Sequence, residues 1–407
     1  MITTTHTDLS TDYTRHSLHY QLLPHREDVV PVAVGVIRQQ DQVLLAWRNA
    51  RQHQGDRYEF PGGKVDAGES PAQALVRELQ EELGIEVTHF RPMQRLTFHY
   101  PEKTVCLYVF LVEGFSGEPE GQEGQALSWV SMAELPLLRF PDANAAIVRA
   151  VSLPWIYRIS PAVTLPASDS KTLSDSKTIT DSEPNHQWEQ KFHQSVETVC
   201  KTLPEHSVVY LRQPEWPVEL VPIVVPGIQQ HRPDLSLGIS LSWWHILQHS
   251  PAFNPNSDLN SDLKREQTCG QNNDHNTDAN TVLTPRKPIT SIHLSHSTLM
   301  MQSPASMAQL RTELASAGNA QCWIVASVHD ETSIQQANAL GVDAVFLGNV
   351  QPTPTHPGKL GLGWSAFARL AASAECPVYA LGGMSEATLD TAQQHGAWGI
   401  AGIRLDD

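Results

Sequence analysis

Residues 62–85 read GGKVDAGESPAQALVRELQEELGI and predict a capped helix that follows a glycine-rich loop. Ser70 is a favourable N-cap, Pro71 suits the first helical position, and Gln73 completes a capping box with Ser70. Gly84 is a natural residue for the end of such a helix. Between these ends, one face is apolar at helical spacing: Ala74, Leu75, Leu79 and Leu83. The stretch therefore predicts a helix that buries one face in a core.

The opposite face of this helix carries Glu78, Glu81 and Glu82, whose spacing places them on one side. Because like charges repel, the helix loses stability by holding them together unless a cation lies nearby. Mg²⁺ and Mn²⁺ prefer clustered hard oxygen ligands of this kind. The alternative is a solvated acidic face that binds nothing.

The spacing of fixed residues identifies the chain as a member of the Nudix family, because it matches every fixed position of the Nudix box. These positions are Gly63, Glu69, Arg77-Glu78-Leu79, Glu81-Glu82 and Gly84-Ile85. The resemblance implies hydrolysis of a nucleoside diphosphate that is linked to another moiety. It also implies a bound Mg²⁺, or Mn²⁺, held by Glu78, Glu82 and the Gly62 carbonyl, with Glu81 and Glu123 near it or near a second ion.

The residues around the helix alternate like strands of a sheet. Residues 29–47 predict two strands joined by a polar turn at residues 39–42, and Arg95–Tyr100, Val105–Val112 and Ser128–Ser131 predict further strands. A helix is predicted near Asn144–Ala150. This element order fits the α/β/α sandwich with a mixed sheet that the Nudix resemblance implies.

Residues 30–150 resemble the MutT branch of the family, the 8-oxo-dGTP diphosphatases. The matching stretches are VAVGVIR, EFPGGK, LVEGFSGEPEGQEGQ and FPDANAAIV. The resemblance implies that water attacks the β-phosphorus, which releases a nucleoside monophosphate and pyrophosphate. Glu78 or Glu123 would take the proton, and Arg77 would orient the helix carboxylates.

The same resemblance implies which residues meet the substrate. Asn144 matches an asparagine that reads the oxidised purine, and its amide offers both a donor and an acceptor; the alternative is an ordinary helix N-cap. Arg48 matches an arginine near the base, or else lies on the surface. Lys64 would face the phosphates. Tyr108 and Phe110 would wall the base pocket, or else belong to the core of the sheet.

Length and composition set limits on the rest of the chain. The length of 407 residues predicts two or more domains. We divide the chain into a tail at 1–27, a Nudix domain at 28–152 and a second domain at 153–407. A net charge of −16 argues against direct nucleic-acid or anionic-membrane binding. Polar low-complexity insertions are predicted at about residues 165–185 and 252–287.

Five scattered cysteines without a CxxC pair indicate a reducing compartment, with neither a disulfide framework nor a zinc site. No apolar run is long enough to span a membrane, and residues 1–27 lack the apolar segment of a signal peptide. We therefore expect a cytoplasmic protein.

The second domain alternates strands with helical patterns, which predicts a (β/α)8 TIM barrel, with a doubly wound sheet as the alternative. The eight candidate strands are Trp155–Ile159, Ser207–Arg212, Leu235–Ser240, Thr290–Ser295, Cys322–His329, Ala344–Val350, Val378–Gly383 and Gly399–Arg404. His293 and His329 fall within these strands and are expected to be core or strand-end residues.

The C-terminal third resembles thiamine phosphate synthase, through ASVHD, GVDAVFLGNVQPTPTHPG, YALGGM and HGAWGIAGI. The resemblance implies a phosphate site in which backbone N–H groups of the last two strand ends grip the ligand. It would include Gly382, Gly383, Ala401 and Gly402, with Thr353 and Thr355 in the loop that holds the thiazole phosphate. The alternative is that these glycines only form tight turns.

The chain departs from that family where the family binds Mg²⁺ and pyrophosphate. GISLSWW at residues 238–244 replaces an Asn-Asp pair, Thr298 replaces an aspartate, Arg212-Gln213-Pro214 replaces Arg-Glu-Lys, and His356 replaces a lysine. Mg²⁺ without carboxylates is poorly held. We therefore expect no thiamine phosphate synthase activity, and a barrel that retains a phosphate-ligand site or serves as an interaction module.

Three functions follow from these observations. The first is a pyrophosphohydrolase that removes 8-oxo-dGTP from the nucleotide pool and so prevents replication errors, fused to an inactive barrel. The second is a bifunctional enzyme that also makes thiamine phosphate. The third is a Nudix hydrolase of thiamine-related diphosphates. A ligand-sensing Nudix module without catalysis is the least favoured, because no position of the box is missing.

Overall fold

The computed structural model describes residues 29–49, 54–162, 203–213, 218–250, 288–353 and 360–406, together with 194, 196–198, 200, 201, 216 and 358. The predicted tail at 1–27 and both predicted insertions, at 165–185 and 252–287, lie outside these residues.

The N-terminal part forms a seven-stranded mixed sheet. Its strands are β1 Val29–Gln39, β2 Gln42–Arg48, β3 Arg57–Glu59, β4 Gly62–Lys64, β5 Glu86–His99, β6 Thr104–Ser116 and β7 Leu127–Ser131. The order is β3-β2-β1-β6-β5, with β4 paired to β1 and β7 paired to β2. Strands β1 and β6 run parallel, whereas β5 and β6 are antiparallel. The mixed sheet and the predicted turn between β1 and β2 are confirmed.

Helix α1 spans Pro71–Leu83 and has the predicted ends. The Ser70 hydroxyl accepts from the Gln73 N–H, and the Gln73 side chain accepts from the Ser70 N–H at 2.9 Å, so the capping box is formed. Gly84 adopts the left-handed conformation with φ 69° and donates its N–H to the Gln80 carbonyl. Such a cap contributes about 1 kcal/mol to helix stability, and here it fixes where the acidic face begins and ends.

The apolar face of α1 packs on the sheet, as predicted. Ala74, Leu75, Leu79 and Leu83 are fully buried in one core with residues of β1 and β6. Burial of a leucine side chain stabilises the fold by about 1.5–3 kcal/mol. Gly35 in β1 leaves room for this contact, because a Cβ there would lie 3.0 Å from a Leu79 methyl group. The core therefore fixes the rotation of α1, and with it the direction of the carboxylate face.

A second helix, shorter than α1, follows β7 in this part of the chain. Two 3-10 turns, Leu135–Leu137 and Asp142–Asn144, precede α2, which spans Ala145–Val151. The helix predicted near this position is confirmed.

The C-terminal part contains a closed eight-stranded barrel, which confirms the TIM-barrel prediction over the doubly wound alternative. Its strands are β8 Ile156–Ile159, β9 Val208–Tyr210, β10 Ser236–Ser240, β11 Ser291–Leu294, β12 Trp323–Val328, β13 Ala344–Gly348, β14 Val378–Leu381 and β15 Gly399–Gly402. Each of the eight lies within its predicted range. The described helices between them are α3 Val221–His231, α4 Leu241–Leu247, α5 His296–Met300, α6 Pro304–Ser316, α7 Glu331–Leu340, α8 Trp364–Ala371 and α9 Leu389–Gln394, with 3-10 turns at Val218–Leu220 and Glu386–Thr388.

The chain divides into two compact units. The first contains the described residues up to Ile156, His296–Pro304 and the residues from Val325 onward, and the second contains Tyr157–Ser295 and Ala305–Ile324. The predicted domain boundary at residues 152 and 153 stays a prediction.

Within the first unit, β5 contacts the last part of the chain. The Arg91 guanidinium lies 4.9 Å from the centre of the Trp398 ring, and Arg95 donates to the Glu375 carboxylate at 2.9 Å. The sheet and the C-terminal strands of this unit are therefore joined by cation–π and charged contacts.

Two further observations concern membrane-spanning helices and cysteines in the described residues. No helix in the described ranges is long and apolar enough to cross a membrane. The described cysteines, Cys106, Cys200, Cys322 and Cys376, are free and buried, whereas Cys269 lies outside the described residues.

Candidate active site

Two glycines bring the loop before α1 against the helix. Gly62 has φ +142°, and a Cβ there would lie 2.1 Å from the Ala33 carbonyl oxygen. A Cβ on Gly63 would lie 2.2 Å from the Glu78 carboxyl carbon. Position 62 therefore requires glycine, and a Cβ at position 63 would displace the Glu78 carboxylate, so the loop backbone lies directly beside a carboxylate of the helix.

Arg77 holds together most of the acidic residues of the box. Its guanidinium donates to both oxygens of Glu69 (3.0 and 2.9 Å), to Glu78 (2.9 Å) and to Glu81 (3.1 Å). A further hydrogen bond of 2.9 Å reaches the Lys64 carbonyl oxygen. These contacts raise the pKa of Arg77, chiefly through Glu69. The predicted orienting role of Arg77 agrees with this placement, because one side chain links the loop to two carboxylates of α1.

Glu82 lies on the loop side of the helix and accepts a hydrogen bond from the Gly62 N–H at 3.0 Å. Burial raises the pKa of Glu82, the Gly62 N–H opposes this shift, and the neighbouring carboxylates of Glu59, Glu78 and Glu123 add to it, so that the resulting pKa is about 7. Burial also raises the pKa of Glu78, despite its ion pair with Arg77. The site therefore gathers more negative charge than its own protein neighbours neutralise.

The loop that carries Glu123 is bonded to the C-terminal end of α1. The Gln122 N–H and the Gln125 side-chain amide both donate to the Glu82 carbonyl oxygen, at 2.9 and 3.1 Å. Gln125 in turn accepts from the Glu123 N–H at 2.9 Å. Carbonyls at the end of a helix lack partners within the helix, so this loop satisfies one of them. The same bonds bring Glu123 close enough to raise the pKa of Glu82.

Glu59 belongs to this acidic group, although the sequence did not single it out. It ends β3, opposite Ala46 of β2, and its carboxylate pairs with the Arg48 guanidinium. Burial raises the pKa of Glu59, with Arg48 opposing and Glu123 adding to the shift. The available signal was its position in EFPGGK, directly before the glycine loop, but a strand residue before a turn carries no distinguishing pattern.

The chemistry of this group fits a hard divalent cation. Carboxylates from three chain segments lie near enough to Glu82 to raise its pKa, and a nearby cation would stabilise the charged forms of Glu82 and Glu78 against burial. In the described part of the chain, however, no three His, Cys, Asp or Glu side chains are close enough together to enclose a metal ion. Arg77 and the Gly62 N–H bond to Glu78 and Glu82 instead. The predicted ligand set of Gly62, Glu78, Glu81, Glu82 and Glu123 therefore stays a prediction.

Three of the residues predicted to meet the substrate come from β2, β4 and the start of α2. Arg48 ends β2 and bonds to Glu59. Lys64 ends β4 with an exposed side chain. Asn144 occupies the N-cap position of α2, but its side chain makes no capping hydrogen bond. The N-cap alternative therefore does not explain the choice of asparagine at that position.

Tyr108 and Phe110 lie elsewhere. Both are about 1% exposed and belong to the core under α1, where the Phe110 ring meets the Phe90 ring edge-on at 5.6 Å. Their placement is that of the sheet-core alternative, and we leave them out of the proposed base pocket.

The residues predicted to form a barrel phosphate site are only partly described. Thr353 follows β13, whereas Thr355 lies outside the described residues. Gly382 and Gly383 follow β14 with φ 95° and 69°, and the Gly382 carbonyl accepts from the Gln351 N–H at 3.1 Å. Ala401 is fully buried in β15, and Gly402 ends that strand. The positive φ values therefore explain why glycine occurs at positions 382 and 383. The phosphate site stays a prediction.

The two histidines are placed as expected. His293 is buried in β11 and stacks on the Tyr210 ring with centroids 4.2 Å apart. His329 follows β12, and its Nδ1 lies 2.7 Å from the Gly348 carbonyl oxygen.

Two family models match the chain. Residues 29–151 match the NUDIX domain, and residues 301–405 match the thiamine monophosphate synthase family. The second match begins directly after α5 and runs to the end of the barrel. It leaves out residues 207–298, where most of the departures from that family lie.

Individual relatives match the N-terminal part. The 8-oxo-dGTP diphosphatase of Escherichia coli (strain K12) is 42% identical over 118 residues, which are 29% of this chain and 92% of the relative. The 8-oxo-dGTP diphosphatase of Haemophilus influenzae is 44% identical over 121 residues, which are 30% of this chain and 89% of the relative. The CTP pyrophosphohydrolase of Escherichia coli (strain K12) is 39% identical over 119 residues, which are 29% of this chain and 87% of the relative.

A Nudix box on a capped helix, a mixed sheet and relatives covered over almost their whole length lead to one conclusion. The chain belongs to the Nudix hydrolase family and carries a thiamine monophosphate synthase-like domain at its C-terminus.

Proposed function

We propose that this protein is a Mg²⁺-dependent nucleoside triphosphate pyrophosphohydrolase whose preferred substrate is 8-oxo-dGTP. One observation carries the proposal: burial raises the pKa of Glu82 beside the glycine loop, and carboxylates from β3, α1 and the loop at 117–125 raise it too. A substrate with several phosphate charges requires a cation at such a site. The 8-oxo-dGTP diphosphatases among the relatives support the choice of base.

Glu78, Glu82 and the Gly62 carbonyl would hold the cation, with Glu81 and Glu123 beside it or beside a second one. When bound, Mg²⁺ neutralises phosphate oxygens and lowers the pKa of coordinated water. Arg77 keeps Glu78 and Glu81 in place through its hydrogen bonds of 2.9 and 3.1 Å.

In the proposed reaction, the carboxylate of Glu78 or Glu123 takes a proton from the attacking water. The water oxygen bonds to the β-phosphorus, and the bond from that phosphorus to the oxygen bridging the α- and β-phosphates breaks. The nucleoside monophosphate leaves with the bridging oxygen, and pyrophosphate carries the oxygen of water. Lys64 offers positive charge to the phosphates from the end of β4.

Base selection belongs to residues outside α1. The Asn144 amide offers a donor and an acceptor to a purine edge, and it makes no capping hydrogen bond in the structure. Arg48 is held by Glu59, which restricts the directions in which its guanidinium can face a base.

The test is a substrate panel on the full chain with 8-oxo-dGTP, dGTP and CTP in H₂¹⁸O, quantifying pyrophosphate and orthophosphate. We expect the highest kcat/KM for 8-oxo-dGTP, pyrophosphate as the inorganic product, and ¹⁸O in the pyrophosphate. A preference for CTP would replace the proposed substrate, and orthophosphate as the main product would contradict the reaction.

A second substrate class has one observation in its favour, the thiamine monophosphate synthase-like domain in the same chain. Thiamine-related diphosphates should therefore compete against 8-oxo-dGTP in the same assay. If they are hydrolysed with the higher kcat/KM, the barrel indicates the substrate of the Nudix site.

A further inference from the structure

The two residues assigned to the base lie on two different chain segments. Arg48 ends β2 and is followed by the loop to β3, and Asn144 ends the 3-10 turn Asp142–Asn144 before α2. Their separation is therefore not fixed by any one element. It depends on contacts between the β2–β3 loop and the segment 139–144.

The Gln54 side chain makes this connection through two hydrogen bonds to Asp142. The Gln54 side-chain amide donates to an Asp142 carboxylate oxygen at 3.1 Å, and its carbonyl oxygen accepts from the Asp142 main-chain N–H at 3.0 Å. Two hydrogen bonds between the same two residues fix orientation as well as distance. They link two positions that are 88 residues apart in the chain.

Both ends of this link are anchored. On the loop side, the Asp56 N–H donates to the Arg48 carbonyl at 3.1 Å, which ties the loop back to the residue where β2 ends. On the other side, Arg57 donates to the Phe140 carbonyl at 3.1 Å and lies 3.7 Å from the Asp142 carboxylate.

Two further contacts place the segment along β3. The Tyr58 N–H donates to the Arg139 carbonyl at 2.9 Å. The Phe60 and Phe140 rings stack with centroids 5.6 Å apart and an interplanar angle of 12°. Backbone and aromatic contacts therefore hold the start of the segment, at residues 139 and 140. Gln54 holds the part of the segment that is nearest Asn144.

We infer that Gln54 and Asp142 are positioning residues for base selection, which set the separation between Arg48 and Asn144. The inference rests on the proposed function, because it needs these two residues to read the base. The carboxylates of α1 do not contact the pair, so breaking it leaves the reaction itself in place. The result should be weaker binding and poorer selection of the oxidised purine.

The experiment compares Gln54→Ala, Asp142→Ala and the double variant with Gln40→Ala, all in the full chain. Gln40 is a matched control because it lies in an exposed turn with φ 55°, against φ 54° at Gln54. Alanine therefore meets the same left-handed backbone at both sites, and only one site loses the link to Asp142.

With 8-oxo-dGTP, we expect KM to rise roughly three- to tenfold in each single variant, which is the loss of one or two hydrogen bonds. We expect kcat to change by less than about twofold, because the chemistry is untouched. The preference over dGTP should fall in parallel with the rise in KM. The double variant should resemble Gln54→Ala, because that change already removes both hydrogen bonds to Asp142, whereas Asp142→Ala keeps the main-chain N–H that Gln54 accepts from. Asp142→Asn, which keeps an acceptor oxygen for Gln54, should restore most of the preference.

A wild-type preference that survives in Gln54→Ala and Asp142→Ala would overturn the inference and leave the proposed function standing. An equal effect of Gln40→Ala would also overturn it, because the loss would then reflect backbone strain. A wild-type chain without any preference for 8-oxo-dGTP over dGTP would overturn the proposed function and this inference together.

Discussion

Two regions resemble catalytic sites: the loop and helix at residues 62–85, and the strand ends of the barrel. They differ in whether the carboxylates expected of each site are present. In the first, Glu78, Glu81 and Glu82 are all present, and Arg77 or the Gly62 N–H bonds to each. In the barrel, the positions of the expected carboxylates are taken by other residues. Ser240 caps α4 by accepting from the Trp243 N–H at 3.3 Å, and Thr298 lies within α5.

The residues that a backbone turn requires differ from the residues that a reaction requires. The barrel keeps its turn glycines, Gly382 and Gly383, because the backbone there has positive φ and lies against Asn349 and Gln351. Those requirements persist whether or not a ligand binds. Clustered carboxylates repel one another, and in the Nudix site Arg77 and the Gly62 N–H offset only part of that repulsion, which favours the cation proposed above.

The largest contrast is expected in an assay of both activities on the same preparation. With Mg²⁺ and the pyrimidine pyrophosphate and thiazole phosphate substrates of the synthase family, we expect no thiamine phosphate, because other residues occupy the positions at which that family has its Mg²⁺-binding carboxylates. Pyrophosphate release from 8-oxo-dGTP serves as the positive control. Thiamine phosphate formed at a comparable rate would remove the distinction between the two regions.

Glu82→Gln should reduce kcat/KM for 8-oxo-dGTP at least about a hundredfold, because the amide keeps the shape but not the charge that a metal requires. The amide oxygen can still accept from the Gly62 N–H, so the fold should be kept. Pyrophosphate release over a range of Mg²⁺ concentrations measures the loss. Glu86→Gln, at an exposed position of β5, is the control, and an equal loss there would show that charge near α1 matters rather than this carboxylate.

Gly383→Ala should affect the barrel without affecting hydrolysis. Its Cβ would lie 2.7 Å from the Gln351 Cβ, at a φ of 69°, and we expect a loss of about 2 kcal/mol in the free energy of unfolding. Gly318→Ala has a similar φ of 77° but open space around the Cβ, so it should lose only about 1 kcal/mol. Denaturant unfolding measures both. Equal losses would mean that backbone strain alone, and not packing, requires glycine after β14.

The smallest effect concerns pH. Burial, with a smaller contribution from the Arg212 charge, lowers the pKa of His293 from 6.5 to about 3. The folded protein therefore keeps His293 neutral, whereas the unfolded chain takes up a proton below about pH 6.5. Stability from this group is complete above pH 6.5 and is lost as pH falls toward 3, by at most about 1.4 kcal/mol per pH unit. Unfolding free energies at pH 7.5 and 5.5 should fall further in the wild type than in His293→Phe, and parallel losses would contradict this.

Local signals were enough to predict much of the fold and part of the site. Ser70, Gln73 and Gly84 define the ends of α1 because capping depends on near neighbours. The barrel strands were equally visible, because each is a short apolar run between turn residues.

The rest depends on contacts between distant residues. Glu59 joins the acidic group only because β3 pairs with β2 beside the glycine loop, and no local pattern marks it. Tyr108 and Phe110 alternate as strand residues should, but alternation does not say which face of the sheet α1 covers. Gln54 and Asp142 are 88 residues apart, so their link was invisible before the fold was known.

One consequence follows from the contact between Gly63 and Glu78. The Glu78 carboxyl carbon lies 2.2 Å from where a Cβ of residue 63 would be, so the side chain of one residue uses the space that its neighbour leaves empty. Every amino acid other than glycine carries a Cβ, and none can therefore be tolerated at position 63 without displacing that carboxylate. Even Gly63→Ala, the smallest possible change, would therefore move the negative charge of Glu78. Random mutagenesis scored for activity should recover glycine alone at residue 63, even though the backbone φ there is not in the left-handed region.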